Sequence, residues 1–403
     1  MNEKELRRSQ IIQAAIEGLC TVREASARLG ISERRVKQLK REVRAKGPEA
    51  VIHASKGKKR PTRITQELKE RIIKLKKSDL YKDANFTHFR ELLEEYEHIS
   101  ISYASLYRVL SSDGIKSNKR HRRKQSHPRR ERRHAFGELL QADGTPFDWF
   151  SSGKRQSLHG FIDDATGVIT GLYMCENECM MGYIEVLRQT IETFGIPSEL
   201  YPDKAGIFFV NQKKLTIEEE LAGVEKPVTK FGEIVEELDI DMHPAHSSQA
   251  KGRIERLWGT LQSRLFTEFK IHGIKSIEQA NKFLKKYIKK YNKQFSVKAA
   301  TDKNMFMPLP KYFDLDHLLS VKYSRRTDNG GTISFQGHKL QVVNGPATKE
   351  VTVLIDQKHG IRAYYEGKYY EVVACDETQE RLHLPKVIEK IIYDELLKNG
   401  KAA

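Results

Sequence analysis

Two aspartates follow short runs of strand character: Glu138-Leu139-Leu140-Gln141-Ala142 leads into Asp143, and Ser198-Glu199-Leu200-Tyr201 reaches Asp203 across Pro202. A carboxylate at such a place is a hard oxygen donor that can help to hold a divalent cation, and equally an acceptor that caps a turn. Taken singly, each aspartate is better explained as a turn cap. A third acid, Glu255, falls in a helical pattern from about Ala250 to Phe266, and Lys251, Trp258 and Gln262 share its face at i−4, i+3 and i+7. Lys251 and Gln262 are therefore candidates for holding a substrate backbone, whereas a tryptophan at that spacing belongs to the core. Asp163 and Asp164, just before Ala165-Thr166-Gly167, are expected to close a hairpin turn, and His243 and His246, which flank Pro244, to lie in a solvated loop. The four cysteines (Cys20, Cys175, Cys179, Cys375) are too scattered for a disulfide framework. Cys175 and Cys179 lack a second pair at zinc-finger spacing and read as buried thiols.

The elements that would carry these side chains follow from periodicity. Ser157–Ile162 and Val168–Met174 form a predicted hairpin around Asp163–Gly167, Met181–Phe194 is helical, and Ser198–Tyr201 is a fourth strand. A helix ending in Phe231–Leu238 then precedes a short strand, Asp239–His243, and the Glu255 helix. Three strands, helix, strand, helix, strand, helix is the order of a mixed α/β sheet of ribonuclease-H type.

Four blocks make a resemblance specific: "LLQADGTPFDWF", "HGFIDDATGVITGLYMCEN", "LYPDKAGIFF" and "HPAHSSQAKGRIERLWGTLQSRL". They are similar to the insertion-sequence transposases that share a retroviral-integrase core, and among these to the ISNCY-type group, over the chain from its N-terminal helices to about residue 375. In that family one aspartate ends the first strand, a second ends the fourth and a glutamate lies on the helix after the fifth. Block by block, the resemblance makes Asp143, Asp203 and Glu255 the catalytic and metal-binding carboxylates. It implies two Mg²⁺ ions (Mn²⁺ possible), Asp143 bridging both, one activating the attacking water or 3′-hydroxyl and one steadying the leaving 3′-oxygen. Two departures stand out. The chain has no N-terminal His/Cys zinc module, and the stretch from Asp203 to Glu255 is longer than usual, so that the common spacing would land near Asp239. The surplus is expected between Phe209 and Lys230 as a surface insertion.

The charge supports a nucleic-acid partner. Residues 1–135 hold 35 of the 71 Lys/Arg but only 17 of the 54 Asp/Glu, so the net +17 is wholly N-terminal. Cations clustered in this way bind polyanions by releasing counterions. A helical pattern over 9–19, a capping box Thr21–Glu24, the turn Leu29-Gly30-Ile31-Ser32 and a basic helix Glu33–Arg44 predict a helix-turn-helix with Arg34, Arg35, Lys37 and Lys40 toward DNA. Residues 60–115 repeat the pattern less clearly, with Ser102–Leu110 as a second candidate recognition helix bearing Arg108. Lys116–Arg133 holds ten Lys/Arg and one acid, and is expected to lie extended on phosphates through Arg122, Arg123, Arg129 and Arg130. No apolar run is long enough for a membrane span and the N-terminus lacks a leader-like stretch, so a cytoplasmic, nucleoid-associated protein is expected.

Past the core, residues 275–300 form a basic helix whose Phe283, Tyr287 and Tyr291 read as packing, and 319–375 alternate as in a small β-barrel. The expected domains are 1–50 and 60–115 (all-α helix-turn-helix modules), a linker 116–136, an α/β ribonuclease-H-like core 137–270, a helical connector 271–318, the barrel 319–375 and a helical tail 376–403. The function this implies is a DNA transposase that binds the double-stranded ends of its element, cleaves them and joins the 3′ ends to target DNA, as a homo-oligomer on DNA. A non-catalytic DNA-binding regulator would need only the helical modules. A nuclease for RNA–DNA hybrids would not need two reading heads.

Overall fold

A computed structural model describes residues 1–53, 64–117, 131–210, 227–245, 251–375 and 384–398. The chain divides into two compact units, Met1–Ile72 and Ile73–Ala403.

In the first unit, helices α1 (Glu3–Ile16), α2 (Val22–Leu29) and α3 (Glu33–Lys46) close on a core of Ile12, Ala15, Ala25, Val36, Leu39 and Val43. The predicted capping box is present in full: the Thr21 hydroxyl accepts from the Glu24 amide and the Glu24 carboxylate from the Thr21 amide. Gly30 ends α2 with φ 62°, the left-handed turn that glycine enters without a Cβ penalty. Ser32 caps α3, whose inward residues Val36, Leu39 and Val43 recur at helical spacing.

The helix α4 (Gln66–Lys77) spans the boundary between the units. The second unit continues with α5 (Phe86–Tyr96) and α6 (Tyr103–Ser112). The central sheet has the order β3-β2-β1-β4-β5, from β1 (Leu139–Phe147), β2 (Gln156–Asp163), β3 (Ile169–Cys175), β4 (Glu199–Tyr201) and β5 (Asp241–Met242). β1, β2 and β3 pair antiparallel, while β4 runs parallel to both β1 and β5. Both faces of the sheet are covered, which is why every residue of β2 is buried. One face packs on α7 (Met180–Thr193) and α8 (Lys230–Glu237) through Leu140, Phe161, Leu187 and Phe231. The other packs on α9 (Gly252–Ile271) and α10 (Ile277–Phe295) through Leu158, Leu172, Leu257 and Leu284. The aromatic stripe of α10 is indeed packing: Tyr287 and Tyr291 are buried and Phe283 stacks on Tyr287.

A short helix α11 (Leu315–Leu318) leads to a six-stranded antiparallel sheet of order β6-β9-β10-β11-β8-β7, from β6 (Val321–Arg326), β7 (Thr332–Phe335), β8 (His338–Val342), β9 (Glu350–Asp356), β10 (Gly360–Tyr365) and β11 (Lys368–Ala374). Where a small β-barrel was expected the sheet is nearly barrel-shaped, and its apolar residues continue the core of the first sheet through Phe306, Leu318 and Val321. Helix α12 (Leu384–Ile392) and the π-helical turn after it pack there through Ile391 and Leu396. Among the described residues no helix is long and apolar enough to cross a membrane.

Candidate active site at the carboxyl ends of the parallel strands

The register of β1 against β4 decides what meets what. Gln141 and Tyr201 are the last parallel partners, and Asp143 and Asp203 each lie two residues further on, at the same end of adjacent strands. One expectation is corrected. Asp143 does not end β1, because the antiparallel ladder with β2 carries the strand on to Phe147, with Asp143 opposite Gly160. What ends at Gln141 is the pairing with β4 alone, and this leaves the Asp143 side chain beside the edge where β4 turns away.

Both oxygens of Asp143 receive donors from α9. Lys251 Nζ stands 2.7 Å from Oδ1 and Trp258 Nε1 2.8 Å from Oδ2. Trp258 is therefore core, as expected of it, and also a polar contact that helical spacing alone does not reveal. Gly160 makes this possible: a Cβ there would lie 2.8 Å from the indole ring. The N-terminal half of α9 is stitched to the sheet at further points. The Ile254 amide donates to the Gln141 side chain, Gln262 donates to the Thr145 hydroxyl at 2.9 Å, and Arg253 Nε reaches the Asp164 carbonyl at 2.7 Å. Gln262, a candidate for holding substrate, is thus engaged with β1. Glu255, one turn into the helix, is exposed.

A residue missed at the sequence level completes the acidic face. β3 runs in the same direction as β1, so its end at Cys175 opens on the same edge, and Glu178 follows three residues later. The Tyr183 hydroxyl donates to Glu178 Oε1 at 2.5 Å. A Cβ on Gly144 would stand 2.9 Å from that same oxygen, so Glu178 lies against the residue next to Asp143. Burial pushes the Glu178 carboxyl up, against the lowering effect of the Tyr183 bond, and the charges of Asp143 and Asp203 push the same way. The signal was the acid pair in "CENEC" directly after a predicted strand.

Asp203 accepts the Ala205 amide at 3.0 Å. Among the described residues no three His, Cys, Asp or Glu side chains stand as a closed metal cluster. Asp143 and Asp203, at one end of adjacent strands, offer oxygens only, the kind of donor a hard divalent cation takes.

The remaining sequence candidates fall as follows. Asp163 and Asp164 are fully buried and do close the hairpin turn. Asp163 takes the Thr166 amide and hydroxyl and the Gly137 amide, while Asp164 takes the Gln141 side chain, the Arg133 amide and Arg253. Cys175 and Cys179 are free and buried. His243 is exposed, and His246 lies outside the described residues. Arg34, Arg35 and Lys37 are exposed on α3, but Lys40 turns inward to the Ala15 carbonyl at 2.6 Å, the last turn of α1. Arg108 is exposed on α6. Arg122, Arg123, Arg129 and Arg130 lie outside the described residues, as does most of the surplus between Phe209 and Lys230. The end of the basic arm is corrected: Arg133 pairs with Glu138 and Glu199, and Arg132 donates to the Ala165 carbonyl, so these two cations anchor to the core.

A helix-turn-helix domain model matches residues 7–60. The chain is 33% identical to the transposase for insertion sequence IS1202 of Streptococcus pneumoniae, over 92% of this chain and 84% of that protein. It is 30% identical to the y4bF protein of Sinorhizobium fredii, named as a transposase, over 91% of this chain and 78% of the other. The chain belongs to the insertion-sequence transposases. Solved structures similar to this transposase include a simian T-cell lymphotropic virus intasome in complex with PP2A regulatory subunit B56 gamma, at 15% identity, 69% coverage of this chain, 94% of the other and a TM-score of 0.31. Another is the HTLV-2 integrase catalytic core domain in complex with magnesium (dimeric form), at 17% identity, 41% and 93% coverage and a TM-score of 0.29.

Proposed function

We propose that this transposase binds the double-stranded ends of its own element, cleaves a phosphodiester bond there and transfers the 3′ ends to target DNA, with Asp143, Asp203 and Glu255 as the catalytic carboxylates of a ribonuclease-H-like core. The observation that carries the reading is the shared strand end: Asp143 and Asp203 are each two residues past the paired Gln141 and Tyr201, and α9, which bears Glu255, is fastened there by Lys251 and Trp258. Two Mg²⁺ ions bound to these carboxylates would supply the activated nucleophile and the stabilised leaving oxygen. The chain itself does the rest. Asp143 and Asp203 are fixed by strand geometry, and Glu255 is carried on the first turn of a helix pinned to the sheet, where its free side chain can turn to the strand ends. Arg34, Arg35 and Lys37 read the element end, and Arg108 and the basic arm add contacts to the phosphates. Assembly as a homo-oligomer brings two ends together, in the cytoplasm where the nucleoid lies.

The test is to incubate the full chain with DNA from the flanks of its own reading frame, with and without Mg²⁺. Metal-dependent nicks at inverted repeats support the reading. Binding without any strand cleavage, under every divalent metal tried, would leave a DNA-binding regulator instead.

A further inference from the structure

We propose that Lys251 is an internal counter-cation of the catalytic carboxylate: its ammonium holds Asp143 in the metal-free protein, leaves that oxygen when a divalent ion arrives, and then meets a DNA phosphate. This rests on the metal reading of Asp143 given above.

The two donors on Asp143 differ in kind. Trp258 offers a neutral N–H dipole to Oδ2, fixed in a 6% exposed indole wedged over Gly160. Lys251 offers a full positive charge to Oδ1 from a side chain only 9% exposed. A divalent ion takes its oxygens at about 2.0–2.1 Å, inside the 2.7 Å at which the ammonium sits, and two cations on one oxygen in a poorly solvated place repel strongly. The indole can stay and the ammonium cannot. Lys251 is also built to leave. It stands at the N-cap of α9 rather than within the helix, makes no side-chain cap bond, and carries its charge on four flexible methylenes. Trp258, two turns on, holds the helix in place meanwhile.

The acidic face explains why such a cation is needed. Asp143 and Asp203 lie at one strand end with Glu178 against Gly144, so three carboxylates share one edge of the sheet. One largely buried ammonium, 2.7 Å from Oδ1, offsets that charge and holds the Asp143 carboxylate in place until the metal comes. Once displaced, the ammonium lies beside the reacting carboxylates, where a substrate phosphate is the nearest replacement anion and accepts it as a point charge.

The test uses the full-length protein and needs no catalysis. Mn²⁺ binding is followed by the loss of the free ion's electron paramagnetic resonance signal in wild type, Lys251→Met, Asp143→Asn and the double variant, each checked for an unchanged circular dichroism spectrum. Sites lost in Asp143→Asn are the ones counted. Lys251→Met should bind Mn²⁺ at those sites roughly tenfold or more tightly than wild type, since the ion no longer has to break a charged hydrogen bond. Equal or weaker binding overturns the exchange while leaving the metal site standing. If instead the Asp143→Asn variant binds as much Mn²⁺ as wild type and Lys251→Met alike, the metal reading itself has failed. In a second arm, affinity for a duplex from the element flank is compared with and without Ca²⁺. Lys251→Met should lose several-fold in affinity relative to wild type only when Ca²⁺ is present, and a ratio that metal does not change overturns the hand-over to phosphate.

Discussion

Arg264, on α9, grips the carboxylate of Glu91, on α5, with both guanidinium nitrogens, at 2.5 and 3.2 Å. The arginine side chain is only 9% exposed, so the pair is shielded rather than a surface contact. Around it Lys270 meets Asp83, and Lys290 meets both Glu95 and Glu268. The second helical module is thus seated on the helix that carries Glu255. Arg264→Ala should cost roughly 2–3 kcal/mol in denaturant unfolding, and a double-mutant cycle with Glu91→Ala should return most of that as coupling. Independent, additive losses would mean that the two residues touch without holding the module.

That seating has a functional counterpart. If α6 contacts the element end, its place, set through α5 on α9, fixes the distance from contact to cut, and Arg264→Ala should blur the cleavage position over several nucleotides. A restoring charge swap, Glu91→Arg with Arg264→Glu, should sharpen it again. Cleavage that stays at a single position in a folded Arg264→Ala protein removes the module from that role.

Acid stability is predicted from Glu268, which is 2% exposed and faces His88, Lys290 and Tyr96. Burial works against its charge, but the hydrogen bonds from His88 and Lys290 prevail and hold its pKa at about 2, below the ordinary 4.5. A depressed carboxylate pKa stabilises the fold above pH 4.5, and this contribution is lost as the pH falls from 4.5 to about 2; here it amounts to roughly 3 kcal/mol. Glu268→Gln should be less stable at neutral pH, yet its unfolding free energy should fall less steeply between those two values. Parallel acid limbs in the two proteins would place the acid sensitivity elsewhere.

Much of this was legible in the sequence, for a definable reason. The capping box Thr21–Glu24, the hairpin turn at Asp163–Gly167 and the alternation of the central strands are local signals, and each element formed where its residues called for it. Glu178 was not legible because its place beside Gly144 depends on β3 running back alongside β2 to the same sheet edge, a matter of topology. Lys251 and Trp258 were seen to share a face with Glu255, but helical spacing does not say that this face lies against Asp143. Lys40 carries the same charge as Arg34 and Lys37, and only the crossing of α1 by α3 shows that its ammonium is spent on the Ala15 carbonyl.

Gly160→Ala probes the seat of the tryptophan. The added methyl would lie 2.8 Å from the Trp258 ring and 2.7 Å from a Leu172 methyl, in a position buried from both sides. Overpacking of this kind costs about 1–3 kcal/mol. With the indole pushed off Asp143, the tryptophan emission should shift and strand cleavage should drop, while binding of the element end, proposed above for residues away from this seat, should stay as it was. A variant as active as wild type would show that the indole contact is not needed to position Asp143.

The last prediction concerns which acid serves as the third carboxylate. The family's common spacing from Asp203 points near Asp239, and the strand register argues against it. β4 and β5 run parallel, pairing Glu199 with Asp241 and Leu200 with Met242, so Asp239 stands before the start of β5. Asp143 and Asp203 lie at the other end, each two residues past the last pair of β1 with β4. Asp239 is also exposed and holds a left-handed φ of 56°, a turn position after α8 in which aspartate and asparagine are both tolerated. Glu255 instead rides on the helix whose neighbours Lys251 and Trp258 already touch Asp143, with its own side chain free in solvent to close on the site. Glu255→Gln should therefore reduce strand cleavage and joining by at least about a hundredfold, as expected when a group acting on the reacting centre is removed, with end binding intact. Asp239→Asn should cleave as wild type and unfold within about 0.5 kcal/mol of it. Both are read from nicked and joined products of a labelled element end, beside a binding titration of the same preparations. Full activity in Glu255→Gln, together with loss of activity in a folded Asp239→Asn protein, would reverse the assignment, because no rotation of Asp239 within its turn reaches the opposite end of the sheet.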